Sequence, residues 1–217
     1  IDDYCQRRGY AFQIIDLRWG VNAEATLNQK TIEICLEEVK RCCTQSPRPN
    51  FLLMIGERYG WIPLPSKIKK EEYEKLYHGC SDEDKTILDE WYKLDENVIG
   101  GEYYLKERMG KYKDDNNWSK TENSLSDILV SAGKRCGFNS NKMLKFTSSA
   151  TEKEIVEGLL SDNSTASNVI AIFRNGYPAQ DADKKKIIDL RNRISQKMTD
   201  TQCEDNLFEL EYDENYI

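Results

Sequence analysis

Five consecutive apolar residues, Phe51 to Ile55, form the clearest hydrophobic signal in the chain. A half-exposed strand carries a polar residue at every second position, so this run predicts a strand covered on both faces, in the middle of a sheet. Gly56 and Gly60 predict a sharp turn after it. Ligands of open α/β sheets bind at the carboxyl ends of the strands. The turn is therefore either a binding site or an ordinary surface turn; it presents Glu57, Arg58, Tyr59 and Trp61.

Further segments extend this strand into a parallel α/β pattern. Residues 10–17 predict a preceding strand, and the apolar positions of residues 31–43 recur at helical spacing, so the three segments form a βαβ unit. Residues 169–173 predict another apolar strand, followed by a helix over residues 181–198. A last strand is predicted at residues 206–212. Because Thr151 and Glu154 fit the capping-box spacing, a further helix is predicted to begin at Thr151.

The segment from about residue 64 to 146 differs in character, because charge is dense and strand-like runs disappear. Helical patterns cover residues 71–77, 82–94 and 125–134. Residues 111–126 are the most polar and predict a mobile loop. We expect one α/β domain over residues 1–217, with a large, mostly helical insertion at 64–146. The polar opening at Ile1 predicts that an amino-terminal piece with an earlier strand lies outside this sequence.

Composition limits the classes of partner. A net charge of −7 and a pI near 5.0 provide no basic surplus for a nucleic-acid backbone or an anionic membrane. The chain contains no apolar run of the ~20 residues that cross a bilayer. Seven scattered cysteines indicate reduced thiols in a cytoplasmic protein, and a single histidine, His78, with no Cys-x-x-Cys spacing predicts no metal site.

Five motifs in order resemble a known family. They are Asp16-Leu-Arg-Trp-Gly20, the helix from Ile32 to Cys42, Gly56-Glu-Arg-Tyr-Gly-Trp-Ile-Pro63, Trp91-Tyr-Lys-Leu-Asp-Glu-Asn97 and Thr151-Glu-Lys-Glu-Ile155. Together they are similar to the TIR-like domain at the amino end of large proteins with a NACHT-type nucleotide-binding module. Examples are telomerase-associated protein, NACHT and WD-repeat proteins and nephrocystin-3, with bacterial relatives.

The resemblance implies a flavodoxin-like parallel sheet with helices on both faces. It also implies a signalling or effector role in innate-immune or anti-phage defence, within a NACHT/STAND-type NTPase protein. The expected partners are the adjoining nucleotide-binding module and, on activation, further copies of the chain. This segment carries no Walker A motif, so no ATPase activity of its own is expected.

Some TIR domains cleave NAD with a glutamate on a helix that precedes a late strand. Residues 154–160, followed by residues 169–173, are similar to that helix and strand, so the resemblance makes Glu154 the candidate catalytic carboxylate. The chemistry requires a carboxylate beside the ribose and an aromatic surface for the leaving ring. Trp19, Tyr59 or Trp61 could supply the aromatic surface. The alternative for Glu154 is a capping role on Thr151. A docking module without catalysis, with no cofactor, is therefore the other interpretation.

The remaining candidates would contact ribose or phosphate. Glu57, Arg58 and Arg174 lie after predicted strands, and arginine matches phosphate oxygens in a bidentate manner. Solvated surface positions are the alternative for them. Asp16 and Arg18 are further candidates for binding, but an ion pair that fixes the Trp19 turn is the structural alternative.

Overall fold

Two three-stranded sheets, each with its own helices, make up the computed structural model, which describes residues 2–17, 23–161, 165–176 and 181–211. The helices are α1 (Asp2–Gln6), α2 (Ala23–Leu27), α3 (Thr31–Gln45), α4 (Lys70–His78), α5 (Asp82–Trp91), α6 (Asp115–Arg135), α7 (Ser140–Thr147), α8 (Ala150–Ile155) and α9 (Asp181–Asp200). The strands are β1 (Phe51–Ile55), β2 (Lys67–Lys69), β3 (Tyr92–Asp95), β4 (Glu102–Leu105), β5 (Val169–Asn175) and β6 (Leu207–Glu211). A π-helical turn, Val156–Leu160, follows α8 directly.

The first sheet is parallel and has the order β1-β5-β6. Leu53 lies opposite Ala171, which in turn lies opposite Leu207. The parallel α/β fold class is thus confirmed and is compatible with a flavodoxin-like arrangement. The predicted strands at residues 51–55, 169–173 and 206–212 are found at β1, β5 and β6, although Tyr212 lies outside the described residues.

Helices α8 and α9 cover one face of this sheet. The chain moves in the same direction across the sheet from β1 to β5 and from β5 to β6, and right-handed crossovers then place both connecting helices on one side. Leu53, Ala171 and Phe173 are buried there with residues of both helices. Those helical residues are Ile155, Ile187, Leu190, Ile194 and Met198.

The opposite face of the sheet is exposed, which corrects the predicted place of β1. Among the described strands β5 is central and β1 lies at an edge, with Leu52 57% and Met54 51% exposed. Phe208 and Leu210 are exposed on β6. The unbroken apolar run does indicate a strand with two apolar faces, but it does not indicate what covers the second face.

The strand predicted at residues 10–17 is wrong. Residues 10–16 have no regular secondary structure, and Tyr10, Phe12 and Ile14 are exposed. A strand needs a neighbour to accept its backbone hydrogen bonds, and the edge of β1 has no strand partner in the described part of the chain. The βαβ unit therefore appears without its first strand, as α3 and β1.

The second sheet is antiparallel, with the order β2-β4-β3, and none of its strands was predicted. Its core consists of residues between Leu64 and Phe146 and includes Tyr73. The ring of Tyr73 stacks on that of Tyr103, with the ring centroids 3.8 Å apart. The helix predicted over residues 82–94 ends at Trp91, where β3 begins. The limits of the insertion, 64–146, stay a prediction.

The mobile loop predicted at residues 111–126 is also wrong. After a short 3₁₀ turn at Gly110–Lys113, α6 begins and runs for 21 residues. Asp114 caps it, because its carboxylate accepts a hydrogen bond of 3.1 Å from the backbone N–H of Asn117. Trp118 and Leu125 on its inner face are buried. The polar sequence forms the exposed face of a long helix.

The capping residue of α8 is Ser149 and not Thr151. Its hydroxyl accepts a hydrogen bond of 3.1 Å from the backbone N–H of Glu152. Ser149 and Glu152 have the same spacing as Thr151 and Glu154, two residues earlier. Thr151 and Glu154 therefore both lie within the helix, which corrects the predicted capping contact between them.

The two backbone segments that link the sheets meet in a hydrogen bond. The backbone N–H of Ala150, at the start of α8, donates a 2.9 Å hydrogen bond to the carbonyl of Trp61, just after the β1 turn. The chain thus leaves the parallel sheet and returns to it at neighbouring positions. In the described ranges no helix is both long and apolar enough to cross a bilayer.

Candidate functional site

The carboxyl ends of β1 and β5 form a common rim, as parallel pairing requires. A Cβ on Gly56 would lie 3.7 Å from Nη2 of Arg174, so the two strand ends are close together. Arg191 of α9 connects the two strand ends, because its Nη2 donates hydrogen bonds to the carbonyl of Arg174 at 2.9 Å and to that of Gly56 at 3.2 Å. Glu57 Oε1 lies 3.5 Å from the same nitrogen. The sequence did not identify Arg191, because this residue lies in a predicted helix and belongs to no motif.

Tyr59 is buried and does not offer its ring at the surface. Its hydroxyl donates to the Glu152 carboxylate, and its backbone N–H donates to Asp183 at 3.3 Å. Burial and the contact with Glu152 raise the pKa of Tyr59 to about 12. The turn after β1 is thereby fixed to α8 and α9.

Glu152 is the buried carboxylate of α8. Nη1 of Arg193 lies 2.5 Å from its Oε1. Burial would raise the pKa of Glu152, but the hydrogen bonds from Tyr59 and Arg193 outweigh burial and lower it. The Ser149-x-x-Glu152 spacing could have identified this residue from sequence.

Glu154 faces a different helix, α3. Burial raises its pKa to about 6, which a hydrogen bond from the Cys35 thiol partly opposes. Burial, the charge of Glu154 and that hydrogen bond raise the pKa of Cys35 to about 11. Glu152 therefore contacts Tyr59 and Arg193, whereas Glu154 contacts Cys35.

Trp61 opens onto a cleft of about 460 Å³ between α3, α6, α8 and the connection to β2, named here the Trp61 cleft. Its indole donates a 3.1 Å hydrogen bond to Glu122 of α6. Burial raises the pKa of Glu122, while hydrogen bonds from the Trp61 and Trp118 indoles and the charge of Arg108 partly lower it. Neither Glu154 nor Tyr59 lines this cleft.

The sequence-predicted residues therefore divide among separate places. Glu57 and Arg174 share the rim, Tyr59 lies beneath it, Trp61 lines the cleft and Glu154 contacts α3. Arg58 and Arg174 are exposed, and Asp16 is half-buried. Arg18 and Trp19 lie outside the described residues.

Comparison with curated proteins relates the chain to NACHT and WD repeat-containing proteins. It is 37% identical over 109 residues to mouse NACHT domain- and WD repeat-containing protein 1, over 49% of the chain and 7% of that protein. The human protein of the same name is 40% identical over 106 residues, covering 48% of the chain and 7% of its own length. Mouse NACHT and WD repeat domain-containing protein 2 is 28% identical over 110 residues, 49% of the chain and 6% of that protein.

These matches support a place for the chain within a larger NACHT-containing protein. The chain spans under a tenth of the length of these relatives. No protein-family model and no solved structure matches it.

Proposed function

We propose that this chain is a TIR-like interaction domain of a larger NACHT/STAND-type protein, which docks onto the adjoining NACHT module through the exposed face of its parallel sheet. The setting would be innate-immune or anti-phage defence signalling. The observation that carries the proposal is a continuous apolar row across three strands. Met54 pairs with Ile172, and Ile172 pairs with Phe208.

The exposed row continues on either side of these three residues. Leu52 lies beside Ile170, and Leu210 lies beside Arg174 on the same face. Burying a large apolar side chain is worth roughly 1.5–3 kcal/mol, so Leu52, Met54, Phe208 and Leu210 together offer a substantial gain on docking. An apolar surface of this extent on a folded domain is typical of an interaction site.

The proposed occupant is a surface of the NACHT module in the same protein. The similarity to NACHT-containing proteins supports this partner. The chain covers 7% of such a protein, so most of the length of that protein remains for other modules. A partner in the same polypeptide is present at high effective concentration, so a modest interface is sufficient for docking.

The test measures binding of the chain to the separately produced NACHT module by calorimetry. Met54→Lys and Phe208→Lys should each weaken binding at least tenfold, because a charge would be buried in the interface. Ile188→Lys is the matched control, since Ile188 is 58% exposed on α9, away from this face. No binding by the wild-type chain, or equal binding by all variants, would overturn the proposal. Loss of a homodimer in the two sheet variants, with the module still bound, would assign the face to self-association instead.

The second candidate function is NAD cleavage with Glu154 as the catalytic carboxylate. The raised pKa of about 6 favours it, because perturbed carboxyl groups are common at catalytic sites. NAD would then be a substrate, with Arg58 and Arg174 proposed to contact its phosphates and Glu57 its ribose hydroxyls. Asp16, Arg18 and Trp19 are further proposed contacts.

An assay of NAD loss by an oligomerised protein tests this role. Glu154→Ala should abolish turnover, whereas Glu157→Ala, on the same helical segment and paired with Lys40 at 3.7 Å, should retain it. Turnover unchanged by Glu154→Ala would exclude the role of that residue.

A further inference from the structure

The Trp61 cleft combines cationic and aromatic groups in a manner that neither proposed role uses. It lies where the connection from β1 to β2 passes between helices of the two sheets. Clefts of a few hundred Å³ at such junctions are typical small-molecule sites. At about 460 Å³, this one has room for a molecule of mononucleotide size.

Lys153 is the cation in the cleft that an anion would engage. Lys67 pairs with Glu33 at 3.1 Å, Arg108 pairs with Asp115 at 2.6 Å, and Lys145 pairs with Glu72. In the part of the chain that the structure describes, Lys153 has no carboxylate within ion-pair distance, and its amine donates to the carbonyl of Pro63 at 3.3 Å.

Burial lowers the pKa of Lys153 to about 8, and the charge of Lys145 adds to this effect while Glu152 opposes it. An anion placed beside the two lysines would relieve the repulsion between them. Their positions on α8 and α7 thus favour a ligand with negative charge.

The amino end of α3 contributes further donors to the cleft. Thr31, Ile32 and Glu33 of its first turn line the wall. Within the described part of the chain, the capping position, Lys30, makes no side-chain cap hydrogen bond. Backbone N–H groups at a helix start favour anionic ligands. Gln29, on the same wall, has a buried Nε2 that finds no hydrogen-bond partner among the residues that the structure describes, and an acceptor beside it would remove that cost.

The cleft also has an apolar part. Trp61 is 48% exposed, and its hydrogen bond to Glu122 fixes the orientation of the indole. Leu64, Pro63 and the buried Trp118 complete the apolar surface. An indole face of this kind stacks on planar rings.

We propose that the Trp61 cleft binds a small ring-bearing phosphate of mononucleotide size. Its phosphate would lie against Lys153, Lys145 and the first turn of α3, and its ring would lie against Trp61. Among the acidic groups of the cleft, Glu33 and Asp115 are each paired with a cation. Glu122 is hydrogen-bonded to the Trp61 indole, on the side where the ring would lie. The cleft is distinct from the exposed sheet face, so this proposal and the docking proposal can fail separately.

The test measures binding of AMP, adenosine and inorganic phosphate to the full chain by calorimetry and by quenching of tryptophan fluorescence. AMP should bind, phosphate should bind more weakly, and adenosine should bind at least tenfold more weakly than AMP. Lys153→Met should lower the affinity for AMP at least tenfold. Lys120→Met, an exposed lysine of α6 that does not line the cleft, should leave it unchanged.

Trp61→Leu provides a second variant at a partly exposed position, and it should weaken AMP binding while leaving phosphate binding unchanged. Absence of AMP binding at millimolar concentration would overturn the proposal. Equal affinities in wild type and Lys153→Met would overturn it as well, as would equal binding of adenosine and AMP.

Discussion

The carboxylate of Glu152 lies 2.5 Å from Nη1 of Arg193, with Glu152 on α8 and Arg193 on α9. Because the same carboxylate accepts from the Tyr59 hydroxyl, one buried charge connects both helices to the turn after β1. Removing one partner of such a contact leaves the other without compensation. The network thus stabilises the rim at which the parallel strands end.

Glu152→Gln should lower the free energy of unfolding by about 2–3 kcal/mol, because Arg193 and Tyr59 would lose their charged partner. Asp189→Asn is the matched control. Asp189 lies 3.4 Å from the same nitrogen of Arg193 but is largely exposed, so its loss should cost less than about 0.5 kcal/mol. Urea unfolding of both variants measures the difference. Equal losses would show that the buried contact is no stronger than the exposed one.

Glu154 should make the protein less stable as pH rises. Its pKa is raised in the folded state, so its favourable contribution is complete below pH 4.5 and is lost as pH rises to about 6. At neutral pH this loss amounts to about 2 kcal/mol. Glu154→Gln should therefore be more stable than wild type at pH 7.5 and similar to it at pH 4, measured by urea unfolding across that range.

The control for this pH effect is Glu83→Gln, on the exposed surface of α5. It should leave the shape of the stability curve unchanged. A Glu154→Gln curve parallel to that of wild type would contradict the raised pKa.

Gly158 has no room for a side chain. A Cβ at this position would lie 2.5 Å from the ring of Phe51, the first residue of β1. Gly158→Ala should therefore destabilise the protein by about 1–3 kcal/mol, measured as a shift in the urea midpoint. Phe51→Leu in the same chain should recover part of the loss.

Gly133→Ala is the comparison, since Gly133 is also buried in a helix. Its nearest neighbour is the flexible sulfur of Met143 at 2.8 Å, and alanine favours the helix by up to about 1 kcal/mol. We expect a small net change. A larger loss at Gly133 than at Gly158 would contradict the assigned packing.

Tyr73→Phe should stabilise the second sheet by about 1 kcal/mol. The Tyr73 hydroxyl is buried and has no hydrogen-bond partner among the described residues, so its removal relieves a desolvation cost. Tyr92→Phe should have the opposite sign, because the buried Tyr92 hydroxyl donates to the carbonyl of Pro65 at 2.8 Å. Thermal unfolding of the two variants checks the signs, and stabilisation by both would contradict the assigned hydrogen bond.

Local patterns predicted the elements whose hydrophobic residues pack within the chain. The strand at residues 169–173 and the helix at 181–198 are found nearly as expected, because β5 and α9 bury their apolar sides against each other. The parallel pairing of β1 with β5 also agrees with the expected convergence of strand ends at one rim.

The wrong predictions have physical reasons that a local pattern does not contain. Residues 10–17 have the composition of a strand but no strand beside them among the described residues. The polar stretch at 111–126 contains the start of a helix that its pattern did not reveal. Asp114 caps this helix, and its buried side is formed by widely spaced residues such as Trp118 and Leu125. Two capping patterns overlap, at Ser149 and Thr151, and the hydrogen bond of Ser149 with Glu152 identifies the one that is used.

The site depended even more on three-dimensional contacts. Arg191 reaches the rim from α9, and Arg193 reaches Glu152, the partner of Tyr59; both lie more than a hundred residues after the β1 turn. The Trp61 cleft collects residues from five helices and from the connection after β1, and no motif unites them.

The hydrogen bond between Ala150 and Trp61 joins the points where the polypeptide departs from one sheet and comes back. A segment whose ends meet in this way can be shortened, exchanged or removed with a brief linker, without rethreading the strands on either side. Chimeras that replace everything between these two residues should therefore retain the strand order of the parallel sheet but lose the contacts of Ser66 and Lys67 with Glu33.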